Sequence, residues 1–186
     1  MAIVNDAPTP PPSSSAASSA RAETDAVSVV QRFLAAMAAG DSAGAAELIA
    51  DDIEYVNVGL PAIHGAHRVR RVLALLDRPA WGFDVVTHSI AATGNTVLTE
   101  RTDVLTWGRW RSQFWVWGRF EVDNGRITLW RDSFDFLDLA IANLRGLIAI
   151  VIPSLTPALP SPDDAPGRRA QRGQRRGHWL RARHNQ

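Results

Sequence analysis

Three short strings carry the side chains best suited to moving protons: "YVN" at 55–57, "RTD" at 101–103 and "WRD" at 130–132. Along a β-strand the side chains alternate faces, so residues two apart point the same way. That spacing groups Tyr55 with Asn57, Arg101 with Asp103, and Trp130 with Asp132. An aspartate flanked on its own face by Trp130 and Phe134 sits in an apolar setting, where an unpaired carboxylate is costly. If the sheet curls, Arg101 can bridge Asp103 and Asp132. Two carboxyls joined by a guanidinium, beside a phenol and an amide, can do acid–base work. Differing environments let one aspartate give a proton while the other takes one. An Arg–Asp pair on a strand also serves as a salt bridge on a solvated face, and parity alone leaves both readings open.

The strings must be positioned by regular elements. Thr24 or Asp25 is placed to cap a helix reaching Ala39, with Val29, Val30, Phe33, Leu34 and Met37 at helical spacing and Gly40 as its stop. A second short helix is expected over 42–50, a strand over 53–58 and a helix over 66–77. Four strands follow at 81–92, 96–107, 110–123 and 126–136, joined at Gly94-Asn95, Gly108-Arg109 and Asn124-Gly125. A final helix covers about 136–150. Strands in series with short turns make an antiparallel meander. With helices on one side of that bent sheet, the fold is α+β, a cone with a deep pocket. On the 96–107 strand, Leu98, Glu100, Thr102, Val104 and Thr106 are left free to meet water.

The folded domain is expected over 24–158. Residues 1–23 are rich in Pro, Ser and Ala and are expected to be a disordered tail, as are the Arg-rich residues 159–186. At 46% hydrophobic residues, the chain as a whole can build a core. There is no cysteine, which excludes disulfides and thiolate metal sites and fits a cytoplasmic protein. The longest apolar run, about 146–153, is far short of a membrane span, and the N-terminus does not read as a secretory signal. All 20 basic residues are arginine. The net charge of +1 divides into +5 over residues 161–186 and −4 over the rest, so an acidic body carries a basic tail. That tail reads as a solvated appendage rather than a specific nucleic-acid reader. His64, His67 and His88 lack convergent metal-ligand spacing, so no metal is expected.

The ordered set "YVNVGLPAIHG" at 55–65, "TERTDVL" at 99–105 and "GRITLWRDSFD" at 125–135 resembles the limonene-1,2-epoxide hydrolases, a branch of the cone-shaped NTF2-like (SnoaL-like) fold. The resemblance covers about residues 25–150. It implies that Asp132 is a general base on a water held with Tyr55 and Asn57. It further implies that Asp103 is the general acid protonating the epoxide oxygen, and that Arg101 orients both aspartates. Water then opens the ring to a vicinal diol in one step, with no cofactor. The sequence departs from the family pattern at Gly59-Leu60-Pro61-Ala62, where the family is richer in proline, and at Ser133, where it often has tyrosine.

A lipophilic substrate is expected from the candidate lining: Leu60, Ile63, Leu73, Leu76, Phe83, Trp130, Phe134 and Leu137. Cones of this type commonly dimerise, so a homodimer is expected, with Phe114, Val116, Phe120 and Val122 facing outward as its contact. Two other functions fit such a cone. One is a non-catalytic binder of hydrophobic ligands. The other is an isomerase or cyclase of the ketosteroid type, which would not need the Tyr-x-Asn pair or an arginine between two carboxylates.

Overall fold

Ala26, Val29, Val30, Phe33, Leu34 and Met37 recur at helical spacing, and all six are buried in a computed structural model that describes residues 14–164. They form the inner stripe of α1 (Ser14–Ala38). The helix starts at Ser14, not at Thr24 or Asp25. No Pro or Gly interrupts the chain between Pro12 and Gly40, so the Ser/Ala run extends the helix although its residues 18–22 bury nothing. The remainder of the expected N-terminal tail, residues 1–13, lies outside the described residues, as do residues 165–186 with the arginines of the basic tail.

The elements that follow are α2 (Ser42–Glu47), β1 (Ile49–Asn57), β2 (Ile63–His64), α3 (Ala66–Leu73), β3 (Trp81–Thr93), β4 (Thr96–Trp107), β5 (Trp110–Asp123), β6 (Arg126–Ser133) and α4 (Phe136–Val151). Asp41 caps α2 through Gly44 N. The strands form one six-stranded sheet in the order β2-β1-β6-β5-β4-β3. It is antiparallel except where β1 runs parallel to β6. Asn124 and Gly125, with φ of +48° and +74°, make the tight turn between β5 and β6. The expected α+β cone is the observed architecture, with α1 across the concave face and the main core between them. Among the described residues no helix is long and apolar enough to cross a membrane.

The final strand ends earlier than its sequence suggests. β6 stops at Ser133, and Asp135 then caps α4 by accepting from Leu137 N at 2.7 Å and Asp138 N at 3.2 Å. Its neighbour β5 runs on without a partner on that side, and α4 lies against the open edge. Asp138 accepts from Trp115 N and Arg145 donates to the Gln113 carbonyl, each at 3.3 Å, so side chains satisfy backbone groups that a strand would otherwise pair. Gly146 makes the approach possible, since a Cβ there would strike the Arg111 carbonyl.

Two surface expectations are overturned. Phe114, Val116, Phe120 and Val122 are buried and do not face outward. In the β4–β5 ladder, Phe114 stands opposite Asp103, Val116 opposite Arg101 and Phe120 opposite Val97, so all share the concave face. The convex face of β5 carries Trp115, Trp117, Arg119 and Glu121 instead. Thr102 and Val104 are buried rather than wet. Thr102 donates to His88 Nε2 at 2.9 Å, and His88 Nδ1 donates to the Pro162 carbonyl at 3.0 Å. Residues 159–164, expected in the mobile tail, therefore return to the convex face, ending in a short turn at Pro162–Asp164.

Candidate active site

The parallel β1–β6 register sets Tyr55 beside Trp130 and Asn57 beside Asp132. The antiparallel ladder brings β4 to the other side of β5. Gly118 of β5 pairs with Thr99 of β4 on one side and with Asp132 of β6 on the other. Arg101 reaches from β4 to β6 across that glycine. Its guanidinium is fully buried and every nitrogen is used. Nε donates to Asp103 Oδ1 at 2.8 Å and Nη2 to Asp103 Oδ2 at 3.2 Å. Nη2 also lies 2.6 Å from Asp132 Oδ2, and Nη1 donates to Thr99 Oγ1 at 3.1 Å. The Phe120 ring lies below, 5.8 Å from the guanidinium carbon.

Asp132 is held asymmetrically. Its Oδ2 also accepts from the Trp130 indole nitrogen at 2.8 Å, while Oδ1 is buried with no partner. Close by, Asn57 Nδ2 donates to the Tyr55 hydroxyl at 2.7 Å. These groups open on a cavity of about 240 Å³. A water there can give a proton to Asp132 Oδ1 while Tyr55 and Asn57 fix its position.

The buried site perturbs three of its titratable groups. Burial pushes the Asp103 carboxyl up to about 6; Arg101 opposes the shift and the Asp132 charge adds to it. Asp103 is therefore placed to carry a donatable proton. Burial, then the Asp132 charge, push Tyr55 up to about 12, so its phenol keeps the hydroxyl proton. Burial works against the charge on Arg101, but Asp132 and Asp103 together outweigh it and its pKa is raised.

All five candidate catalytic residues meet at this site. Of the expected lining, Leu73, Leu76, Phe83, Trp130 and Phe134 border the cavity. Leu60, Ile63 and Leu137 do not. Leu60 follows Gly59 (φ +93°) into an exposed turn. Ile63 pairs with Tyr55 in the β1–β2 ladder and packs into the core. Leu137 is 70% exposed because, in the first turn of α4, it points away from the sheet. The lining also includes Met37, Val72, Leu105, Phe114, Val116 and Leu139. Phe114 and Val116 were misplaced by the face assigned to β5.

Gly118 escaped the sequence reading, although a glycine inside "WVWGRF" is the mark of a close approach. A Cβ there would strike Arg101 Nη1 and lie 2.5 Å from Thr99 Oγ1. Gly118→Ala is expected to cost about 1–3 kcal/mol in denaturant unfolding, the usual toll of overpacking. Displacing the guanidinium should lower turnover by about 10²-fold. Wild-type turnover in that variant would show that the cradle is not needed.

A curved sheet wrapped by helices, with an apolar cavity and paired carboxyls inside, defines a cone-shaped pocket protein of the NTF2-like class. A putative polyketide cyclase from Xanthomonas campestris shares this fold, with a TM-score of 0.57 and 16% identity over 64% of this chain and 98% of its own. Residues 24–145 match the family model of the limonene-1,2-epoxide hydrolase catalytic domain, and the chain belongs to that family. It is 48% identical over 130 residues to the epoxide hydrolase EphG of Mycobacterium tuberculosis, covering 70% of this chain and 87% of that protein. The solved structure of an M. tuberculosis LEH-like epoxide hydrolase superposes with a TM-score of 0.71 at 47% identity, over 74% of this chain and 97% of its own.

Proposed function

We propose that this chain, an epoxide hydrolase by family, converts a lipophilic epoxide to a vicinal diol by one-step attack of water. The observation that carries the reading is the Arg101 bridge, which joins Asp103 to Asp132, a cavity-lining carboxylate whose Oδ1 has no protein partner. Asp132 Oδ1 takes a proton from water as the water oxygen bonds to an epoxide carbon. The carbon–oxygen bond breaks, and Asp103 protonates the departing oxygen. A poor alkoxide leaving group needs both events together, and each is worth about 10²–10⁴ in rate. Arg101 keeps one net negative charge spread over the two carboxyls before and after the transfer. The cavity wall outside the polar set is aliphatic and aromatic, which suits an uncharged apolar substrate. Its chemistry calls on no metal or cofactor.

The test is hydrolysis of a panel of apolar epoxides in ¹⁸O-water, with Asp103→Asn alongside. Direct attack places label in the diol during a single turnover, whereas an ester intermediate would deliver an unlabelled enzyme oxygen first. Asp103→Asn is expected to lose turnover and stay folded. No diol from the wild type would overturn the reading. The wild-type rate is expected to fall as pH rises through about 6, where Asp103 gives up its proton. Asp103's contribution to folding stability has the same sign. It is fully present below the ordinary value of 3.8 and is lost as pH rises through about 6.

The expected homodimer needs a new surface, because the four residues assigned to it face the cavity and core. Helix α4 supplies one. Leu137, Ile141, Leu144 and Ile148 make an exposed stripe at helical spacing, flanked by Leu147 and Val151. A contiguous apolar face of this kind is rarely left in water. Pairing of two copies through α4 predicts a dimer by light scattering at micromolar concentration and a monomer for Leu144→Glu/Ile148→Glu. A monomeric wild type would remove the proposal. The substrate reaches the site in the cytoplasm if the cysteine-free composition reports the compartment.

A further inference from the structure

Five polar residues account for the proposed chemistry, yet a sixth side chain touches both halves of the water site. Trp130 donates its indole N–H to Asp132 Oδ2 at 2.8 Å. Its ring stacks on Tyr55 with centroids 4.0 Å apart and planes at 27°. The β1–β6 register makes both contacts unavoidable: Trp130 stands beside Tyr55, and two residues on, Asp132 stands beside Asn57. The ring itself cannot turn. Phe120 stacks on it at 6.5 Å and Phe33 meets its face edge-on at 5.0 Å.

We propose that Trp130 is a positioning residue of the hydrolysis, fixing which oxygen of Asp132 meets the water and keeping Tyr55 in reach of it. The inference rests on the reading of Asp132 as the base. With Arg101 and Trp130 both on Oδ2, rotation of the carboxylate would break two bonds to the charged group, so Oδ1 stays the oxygen free for the water. Arg101 alone does not secure this, because its Nη2 is shared between Asp103 and Asp132. Trp130 supplies a second, independent direction from the rigid aromatic core. Arg101 and Asp103 face Asp132 from β4, and Tyr55 faces it from β1. The helices contribute only apolar side chains to the cavity wall, among them Met37, Leu73 and Leu139.

A buried indole N–H ordinarily finds some acceptor, so loss of activity alone would not separate positioning from packing. The separating experiment replaces Trp130 in the full chain with 3-benzothienylalanine, which keeps the ring's shape and exchanges N–H for sulfur. Trp130→Phe serves as the natural-residue counterpart. The expected result is kcat lower by about tenfold to a hundredfold, the weight of one charge-assisted hydrogen bond, with KM little changed. Wild-type kcat, or a loss confined to KM, in the benzothienyl variant would overturn the proposal. Asp132→Asn, run in parallel, separates the two levels of inference. If Asp132→Asn stays active, the base assignment falls and Trp130's role falls with it. If Asp132→Asn is inactive while the benzothienyl variant equals wild type, only the Trp130 proposal falls.

Discussion

Asp132→Asn is expected to lower kcat by about 10³–10⁴-fold, leaving the fold and substrate affinity nearly unchanged. The asymmetry at this carboxylate makes the substitution informative. Oδ2 receives the bonds from Arg101 and Trp130, and an amide oxygen can receive both. The amide nitrogen then falls where Oδ1 was, the position without a protein partner. An amide nitrogen there gives a hydrogen bond to the water when it should accept a proton. Water is still held, but it is no longer activated. Stability should change little, since Arg101 keeps its two bonds to Asp103 and its bond to Thr99. Steady-state kinetics with a thermal unfolding curve checks both halves. A rate within tenfold of wild type would remove Asp132 from the chemistry, and a collapsed thermal midpoint would mark it as structural.

The site was readable because strand parity is a strict rule. Tyr55 and Asn57, Arg101 and Asp103, and Trp130 and Asp132 are each two apart, so each pair had to share a face once its segment was a strand. Parity does not say which face is inner, and the outward assignment of Phe114, Val116, Phe120 and Val122 failed there. The information to place them was present. Gly108-Arg109 is a two-residue connection, and such a loop fixes register by pairing Trp107 with Trp110. Counting back from it puts Phe114 opposite Asp103 and Val116 opposite Arg101, on the face that holds the charges. Leu60 and Leu137 were lost for another reason. Both follow the end of a strand, where alternation stops, and no period reports the angle at which a turn or a capped helix leaves. The return of Pro162 to His88 was illegible too, because a Pro-rich segment has no periodicity to announce a contact 74 positions away in sequence.

Arg101→Gln is expected to destabilise the protein by about 3–5 kcal/mol, as breaking a buried ion pair from one side does, and to abolish turnover. Glutamine fills part of the space over Gly118 but supplies no charge. Two carboxyls, each at most 6% exposed, are then left together without a counter-ion. Urea unfolding should show the loss, and it should be smaller at low pH, where protonation relieves the repulsion. The decisive comparison is the neutral triple variant Arg101→Gln/Asp103→Asn/Asp132→Asn. If the charges serve the reaction rather than the fold, three amides that hydrogen-bond among themselves should recover most of the lost stability and none of the activity. A triple variant as unstable as Arg101→Gln would mean that the guanidinium holds the strands together in a way amides cannot. Recovery would mean that folding alone does not require the ion triad. Folding would then tolerate this site in either form, and catalysis alone would require the arginine between the two acids.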